Sequence, residues 1–210
     1  ADELEDKDVA RSQAVRLRVK ALLLRARGYG LRGLEIRNPG FAEAVRKDPR
    51  AATAAVRKPD AALLYWTGAA WGATISIAKD DPDLVADQSI VEALFDRALA
   101  LDETLENGSV HGALISYEMV RRSAADKPED RARKHYERAL EISKGQLAAP
   151  YVSYAEAVCV QQQDRKQFEA LLQKALAIDP NVRTECRMNN LIMQRRARWL
   201  LSKKDELFVE

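Results

Sequence analysis

The sequence predicts an all-α protein, organised as an array of helical repeats with capping helices at its N- and C-terminal ends. Three observations lead to this prediction. The 210-residue chain is rich in Ala, Leu, Arg and Glu, which favour helices. No segment alternates apolar and polar residues with the period of two that marks a strand. One eleven-residue pattern also occurs three times, as ALFDRALALDE (93–103), KHYERALEISK (134–144) and ALLQKALAIDP (170–180).

The third residue of each copy has a large side chain, and Ala follows three positions later. The pairs are Phe95 with Ala98, Tyr136 with Ala139, and Leu172 with Ala175. This spacing lies on one face of a helix, and the small Ala lets another helix approach closely. Such a pattern is typical of the second helix of a tetratricopeptide repeat. We therefore predict a tetratricopeptide-like α-solenoid of about four helix pairs.

Each second helix should follow a first helix, and three segments fit that position. They are residues 60–79, 109–122 and 150–160. Their order along the chain is consistent with the helix–turn–helix repeat, and ENGS (106–109) predicts a turn before the second of them. Helix starts are predicted at Pro82, at a Ser89/Glu92 capping box, and at Pro128, Pro150 and Asp164.

The remaining segments frame the array. Residues 5–27 predict a basic helix, which GYGLRG (28–33) should interrupt, and residues 40–57 predict two short helices around Asp48-Pro49. A final helix over 184–203 should cover the open end of the stack. We thus expect one domain with three parts: N-terminal helices (1–58), degenerate repeats (59–183) and a C-terminal capping helix (184–210).

Composition and charge exclude several classes of protein. The formal net charge is +2, and the basic cluster Arg195, Arg196 and Arg198 points in different directions around one helix, so nucleic acid is not an expected partner. No apolar run approaches the roughly 20 residues of a transmembrane helix. The opening residues are polar and lack the apolar core of a signal peptide, which indicates a mature or trimmed chain. Cys159 and Cys186 have no ligand-like spacing and are expected to be buried thiols.

Aromatic residues on the predicted first helices are the candidate ligand-binding residues. The segment 61–78 is apolar on nearly every face, which requires either burial on all sides or an enclosed apolar space. Both interpretations remain open for the aromatic rings of this segment. Gly68 and Gly72 leave space beside the rings, which is compatible with a cavity and also with close contact of another helix. The candidates are Tyr65, Trp66, Trp71, His111, Tyr117, Tyr151 and Tyr154.

Catalysis is the weaker interpretation. His111 and Glu118 are seven residues apart on one helix face, which would suit an acid–base pair, but a histidine satisfied by a neighbour has the same pattern. His135 is expected to be exposed. The sequence lacks a nucleophile elbow, a phosphate-binding loop, a dinucleotide-binding glycine motif and a metal-spaced cluster. We expect no catalytic residues, no metal and no cofactor.

Several long segments resemble one known family. LYWTGAAWGATISIAKD, VEALFDRALALDE, VHGALISYE, HYERALEIS, PYVSYAEAVCVQQQDRKQFEALLQKALAIDP and NNLIMQRRARWLLSKKDELF are similar to the TRAP transporter T component (TatT) family, over about residues 8–208. The resemblance implies a tetratricopeptide-like periplasmic lipoprotein, lipid-anchored through a Cys upstream of Ala1. It also implies a homotrimer with a pore in each protomer, which partners the substrate-binding P component of a tripartite ATP-independent periplasmic transporter and handles hydrophobic or organic-acid ligands.

The alternative is a general tetratricopeptide adaptor without a small-molecule cavity. Peptide-binding repeats usually present Asn, Lys and Arg on their first helices. The corresponding segments here carry Trp, Tyr, Ala and Gly, which favours an apolar groove.

Overall fold

The computed structural model describes residues 2–5, 7–121 and 125–209, and throughout these ranges the regular elements are helical. The predicted all-α class is therefore confirmed. The chain forms two compact units, Ala1–Leu105 and Glu106–Glu210, and each is described by itself. Arg122, the last residue of the predicted segment 109–122, lies outside the described residues.

Unit 1 is built around one long N-terminal helix and one apolar helix. Asp8, Asp48 and Asp81 cap three of its helices, each accepting a hydrogen bond from a backbone N–H in the first turn. The helices are α1 (Asp2–Glu5), α2 (Val9–Arg37), α3 (Phe41–Lys47), α4 (Pro49–Ala54), α5 (Ala61–Ile77), α6 (Pro82–Ala86) and α7 (Gln88–Leu101), with a 3-10 turn at Lys58–Asp60 before α5.

The apolar helix α5 packs against both α2 and α7. Glycines allow the close approach on each side. Gly30 of α2 lies against Thr67, and a Cβ at Gly68 would lie 3.2 Å from the Phe95 ring of α7. Leu64 and Trp71 are fully buried along this helix. Packing on two sides thus explains why α5 is apolar on most of its circumference.

Two local predictions in unit 1 are wrong. Residues 28–33 do not interrupt the N-terminal helix, because α2 continues through them to Arg37. Gly30 and Gly33 serve as contact points for α5 instead of helix breakers. The Ser89/Glu92 capping box is also absent, since α7 already begins at Gln88. The two short helices around Asp48-Pro49 are confirmed as α3 and α4.

Unit 2 contains the remaining helices. Its first helix follows a sharp turn in which Glu106, Asn107 and Gly108 have positive φ, as the ENGS signal predicted. Pro128 and Asp164 begin two helices as expected, whereas Pro150 occupies the third position of its helix instead of the first. The helices are α8 (Leu105–Glu118, including the turn), α9 (Pro128–Ser143), α10 (Ala148–Tyr154), α11 (Arg165–Ala177), α12 (Arg187–Ser202) and α13 (Lys204–Leu207), with a π-helical segment at Ala155–Cys159 and a 3-10 turn at Thr184–Cys186.

Polar bridges connect the helices of unit 2. Asn190 of α12 accepts a hydrogen bond from the backbone N–H of Ala148 (2.8 Å) and donates one to the carbonyl of Gln146 (3.0 Å), which fixes the start of α10. Gln194 donates to the carbonyls of Ala175 and Ile178 at the end of α11. These bonds satisfy backbone groups that a helix terminus leaves open.

The repeated pattern corresponds to α7, α9 and α11, and its small residues are buried as expected. Ala98, Ala139 and Ala175 are at most 1% exposed. The solenoid arrangement of pairs and the three-part division of one domain remain predictions. Among the residues described, no helix has the length and hydropathy needed to cross a bilayer.

Candidate functional site

The seven predicted ligand-binding residues lie on three helices in two units. Tyr65, Trp66 and Trp71 belong to α5 in unit 1. In unit 2, α8 carries His111 and Tyr117, and α10 carries Tyr151 and Tyr154. We describe each group in turn, beginning with unit 1.

Trp71 is enclosed in the interior of unit 1. Its ring is 0% exposed, and its indole Nε1–H donates to Asp87 at 3.1 Å. The guanidinium groups of Arg27 and Arg46 lie 4.7 and 5.5 Å from the ring centroid. Burial, followed by the charge of Arg46, lowers the pKa of Arg27. The ring is therefore engaged by cation–π contacts and a hydrogen bond inside the protein.

Trp66, in contrast to Trp71, faces solvent. It is 53% exposed, although it lies on the same helix. Its ring is 4.9 Å from that of Tyr65, which in turn lies 6.2 Å from the ring of Phe95 on α7. Tyr65 and Phe95 are buried, so they hold the inner edge of an aromatic group whose outer member faces solvent. This arrangement leaves one aromatic ring exposed on a supported apolar surface.

Unit 1 also has an open cleft of about 400 Å³, which no sequence prediction included. Arg37, Asn38, Arg57, Pro59 and Asp60 line it. The Arg37 Nε lies 3.3 Å from a carboxylate oxygen of Asp60, while Arg57 is exposed. The cleft thus offers guanidinium donors beside a buried carboxylate, a set suited to a ligand with both a carboxylate and a hydroxyl group.

The tyrosines of α10 belong to a cluster inside unit 2. Tyr136 of α9 lies 4.6 Å from Tyr154 and 6.0 Å from Tyr151 between ring centroids. Tyr154 is buried, and Tyr151 is half-buried. Burial raises the pKa of both Tyr136 and Tyr151, so these phenols remain neutral under ordinary conditions. Tyr117 is half-buried near the end of α8.

His111 contacts the other histidine of the chain. Its Nδ1 lies 2.8 Å from Nδ1 of His135 on α9, and the ring centroids are 5.1 Å apart. One ring must donate and the other accept, so the contact needs a proton on only one of the two facing nitrogens. The expectation that His135 is exposed is wrong, because this contact leaves it half-buried.

Glu118 is held by other partners than His111. Its carboxylate is buried and forms ion pairs with Arg121, at 2.9 Å, and with Arg131. Arg131 also donates to the Glu118 backbone carbonyl at 2.9 Å. A carboxylate fixed in this way joins α8 to α9, and its two oxygens are engaged by arginines instead of facing His111. Among the residues described, no cluster of three or more His, Cys, Asp or Glu side chains is placed to hold a metal ion.

The contacts that the sequence missed come from residues far apart in the chain. The pairs Arg37–Asp60, His111–His135 and Tyr136–Tyr154 each join two different elements. Local spacing carries no signal for such pairs. One signal is present in the sequence, because Tyr136 is the large residue of one copy of the repeated pattern.

Comparison with known proteins connects this architecture to transport. A 25% identical protein of Treponema pallidum (strain Nichols), described only as an uncharacterized protein, matches over 213 residues. The match includes all of this chain but 64% of that relative, so the chain spans somewhat less than two thirds of the relative's length. The family model of the TRAP transporter T component matches residues 1–208. The chain therefore belongs to the TRAP transporter T-component family.

Proposed function

We propose that the protein is a non-enzymatic accessory component of a TRAP transporter, which binds the substrate-binding P component and shelters a hydrophobic or organic-acid ligand. The family match over residues 1–208 is the observation that carries this proposal. T components act in periplasmic transport, and their family is not a class of enzymes. The fixed ion pairs of Glu118 agree with a role without acid–base catalysis.

The aromatic group of α5 is the proposed contact for the apolar part of a ligand. Trp66 is exposed, while Tyr65 supports it from the inside. We propose Tyr117, Tyr151, Tyr154 and His111 as further apolar or polar contacts in unit 2, whereas Trp71 supports the core of unit 1. The basic cleft at Arg37 and Arg57 is the proposed site for a carboxylate.

Tryptophan fluorescence can test the apolar contact. The chain has three tryptophans, and a Trp199→Phe background leaves only Trp66 and Trp71 to emit. Titration with a fatty acid should shift the emission, and Trp66→Ala should remove the shift. Tyr29→Ala provides the matched control, because Tyr29 is 54% exposed on another helix. An unchanged emission with every amphiphile tested would contradict the ligand role and favour the adaptor function.

The carboxylate site needs a separate titration. Calorimetry with small hydroxy acids should detect binding that Arg57→Gln weakens. Arg50→Gln is the control, since Arg50 is an exposed arginine outside the cleft. Equal affinity in the wild type and both variants would remove the cleft from the proposal.

Assembly is tested independently of the ligand. We propose a homotrimer of tetratricopeptide-like solenoids, lipid-anchored through a Cys upstream of Ala1, as the family resemblance implies. Light scattering coupled to gel filtration should give three times the 23.5 kDa chain mass. Surface plasmon resonance with the cognate P component should detect a complex. A monomer that fails to bind the P component would contradict the assembly part of the proposal.

A further inference from the structure

The outer face of α2 follows a seven-residue repeat. Residues 11–31 consist of the blocks RSQAVRL, RVKALLL and RARGYGL. Every block has Arg first, a small residue fourth and Leu seventh. A repeat of seven residues is the period at which one helix packs along another in a left-handed supercoil. In coiled-coil terms the small residues and leucines occupy the two seam positions, and Arg18, Arg25 and Arg32 flank the seam.

The structure leaves most of this face open. Leu17 is 71% exposed, and Ala14 and Ala21 are exposed, while Leu24 and Leu31 are half-buried. On the other side of the arginines, Leu22, Tyr29 and Ile36 form a second exposed apolar row with the same period. The arginines therefore run between two apolar rows for about 21 Å, the rise of the helix from residue 18 to residue 32.

Two of the three arginines, Arg25 and Arg32, are oriented by Tyr29. Arg25 and Arg32 lie 5.5 and 4.4 Å from the centroid of the Tyr29 ring, and Arg25 donates to its hydroxyl at 3.2 Å. Within the described ranges, no carboxylate forms an ion pair with Arg18, Arg25 or Arg32. Other basic residues of α2 do have such partners, as Arg16 shows with Glu5 (2.6 Å).

A second copy of the chain does not fit this face. In an antiparallel pair of α2 helices the arginines would lie opposite the arginines of the other copy. In a parallel pair they would lie on the side of Lys20 and Arg27, which is also basic, although Lys20 pairs with Asp81 and Arg27 packs on Trp71. Both arrangements place like charges together, which opposes pairing.

We infer that this face of α2 docks an α-helix of another protein, one that carries Asp or Glu at seven-residue intervals beside an apolar stripe. The period specifies a helical partner, and the arginine row specifies its charge. The small residues leave room for apolar side chains of the partner beside the arginines. The inference depends on α2 alone and holds independently of the proposed transport role.

A designed peptide supplies the probe. It contains four seven-residue blocks with Leu at the first and fourth positions, Glu at the fifth and seventh, and Ala elsewhere, and it carries a fluorescent label. Anisotropy measured at low ionic strength should show binding to the full chain. A peptide with Lys in place of Glu should not bind, nor should a Glu peptide of the same composition in shuffled order. The triple variant R18E/R25E/R32E should weaken binding at least about tenfold.

The triple variant K166E/K174E/R198E is the matched control, because it reverses three exposed basic residues in unit 2. Its affinity should stay within about twofold of the wild type. Circular dichroism melts verify that both variants fold. Three outcomes would overturn the inference: failure of the Glu peptide to bind, equal binding by the shuffled peptide, or no effect of the α2 substitutions. Binding of phosphatidylglycerol vesicles through the arginines without binding of the Glu peptide would instead assign the face to a membrane surface.

Discussion

The close contact between α2 and α5 makes a quantitative prediction about Gly30. A Cβ added there would lie 2.1 Å from the Thr67 hydroxyl oxygen and 3.0 Å from its Cβ, whereas ordinary contacts begin near 3.4 Å. Gly28, two residues earlier, has only the flexible end of Arg32 at 3.7 Å. Gly30→Ala therefore creates a clash at a helix contact, and Gly28→Ala does not.

The two substitutions share the same helix-propensity gain. Replacing Gly by Ala inside a helix stabilises by about 0.5–1 kcal/mol, so Gly28→Ala should raise the unfolding free energy by that amount. Gly30→Ala has the same gain but adds overpacking, which costs about 1–3 kcal/mol. We expect Gly30→Ala to be less stable than Gly28→Ala by about 1–3 kcal/mol, because their difference isolates the clash.

Urea denaturation is the assay. In the Trp199→Phe background, Trp66 and Trp71 report on unit 1. A Thr67→Ala substitution removes the hydroxyl, so the double variant Gly30→Ala/Thr67→Ala should recover part of the loss beyond additivity. If Gly30→Ala unfolds at a urea concentration equal to or above that of Gly28→Ala, the packing of α5 on α2 is wrong.

Three further predictions concern unit 2. Asn190→Ala should lower the free energy of unfolding by about 1–3 kcal/mol, because the backbone N–H of Ala148 loses its acceptor. Asn189→Ala is the control: this side chain is exposed, so thermal melts should show little change. Glu118→Gln should lower the free energy of unfolding by about 3–5 kcal/mol, because it leaves Arg121 and Arg131, whose side chains are 13% and 11% exposed, without their carboxylate; a variant with wild-type melting would contradict the structural role. Burial raises the pKa of the Cys159 thiol to about 12, so iodoacetamide should label it near neutral pH only after unfolding, and rapid labelling of the native protein would refute this.

The sequence predicted the helices that carry strong local signals. The repeated pattern identified α7, α9 and α11, because a large residue followed by Ala at position three defines one buried face. Pro128 and Asp164 marked helix starts because each suits the first turn for a local reason, a fixed φ or a side-chain acceptor. Such features depend on neighbours in the chain and need no knowledge of the fold.

Other features depend on a distant partner and were missed. The sequence predicts an interruption of the helix at Gly30 and Gly33, since glycine is a poor helix former. The structure keeps the helix because those positions face Thr67 and Leu63 at short distance. The partner of His111 was missed for the same reason, as His135 lies on another helix and 24 residues away.

The two interpretations of α5 now apply to different residues. The segment was expected either to be buried on all sides or to line an apolar space. Trp71 follows the first interpretation, because it is enclosed between the arginines of α2 and α3 and bonded to Asp87. Trp66 does not, since α2 and α7 leave it 53% exposed. An apolar helix can therefore satisfy its packing and still present one aromatic ring. A ligand-dependent change in the emission of Trp66 alone would support this division, whereas a change confined to Trp71 would require unit 1 to open.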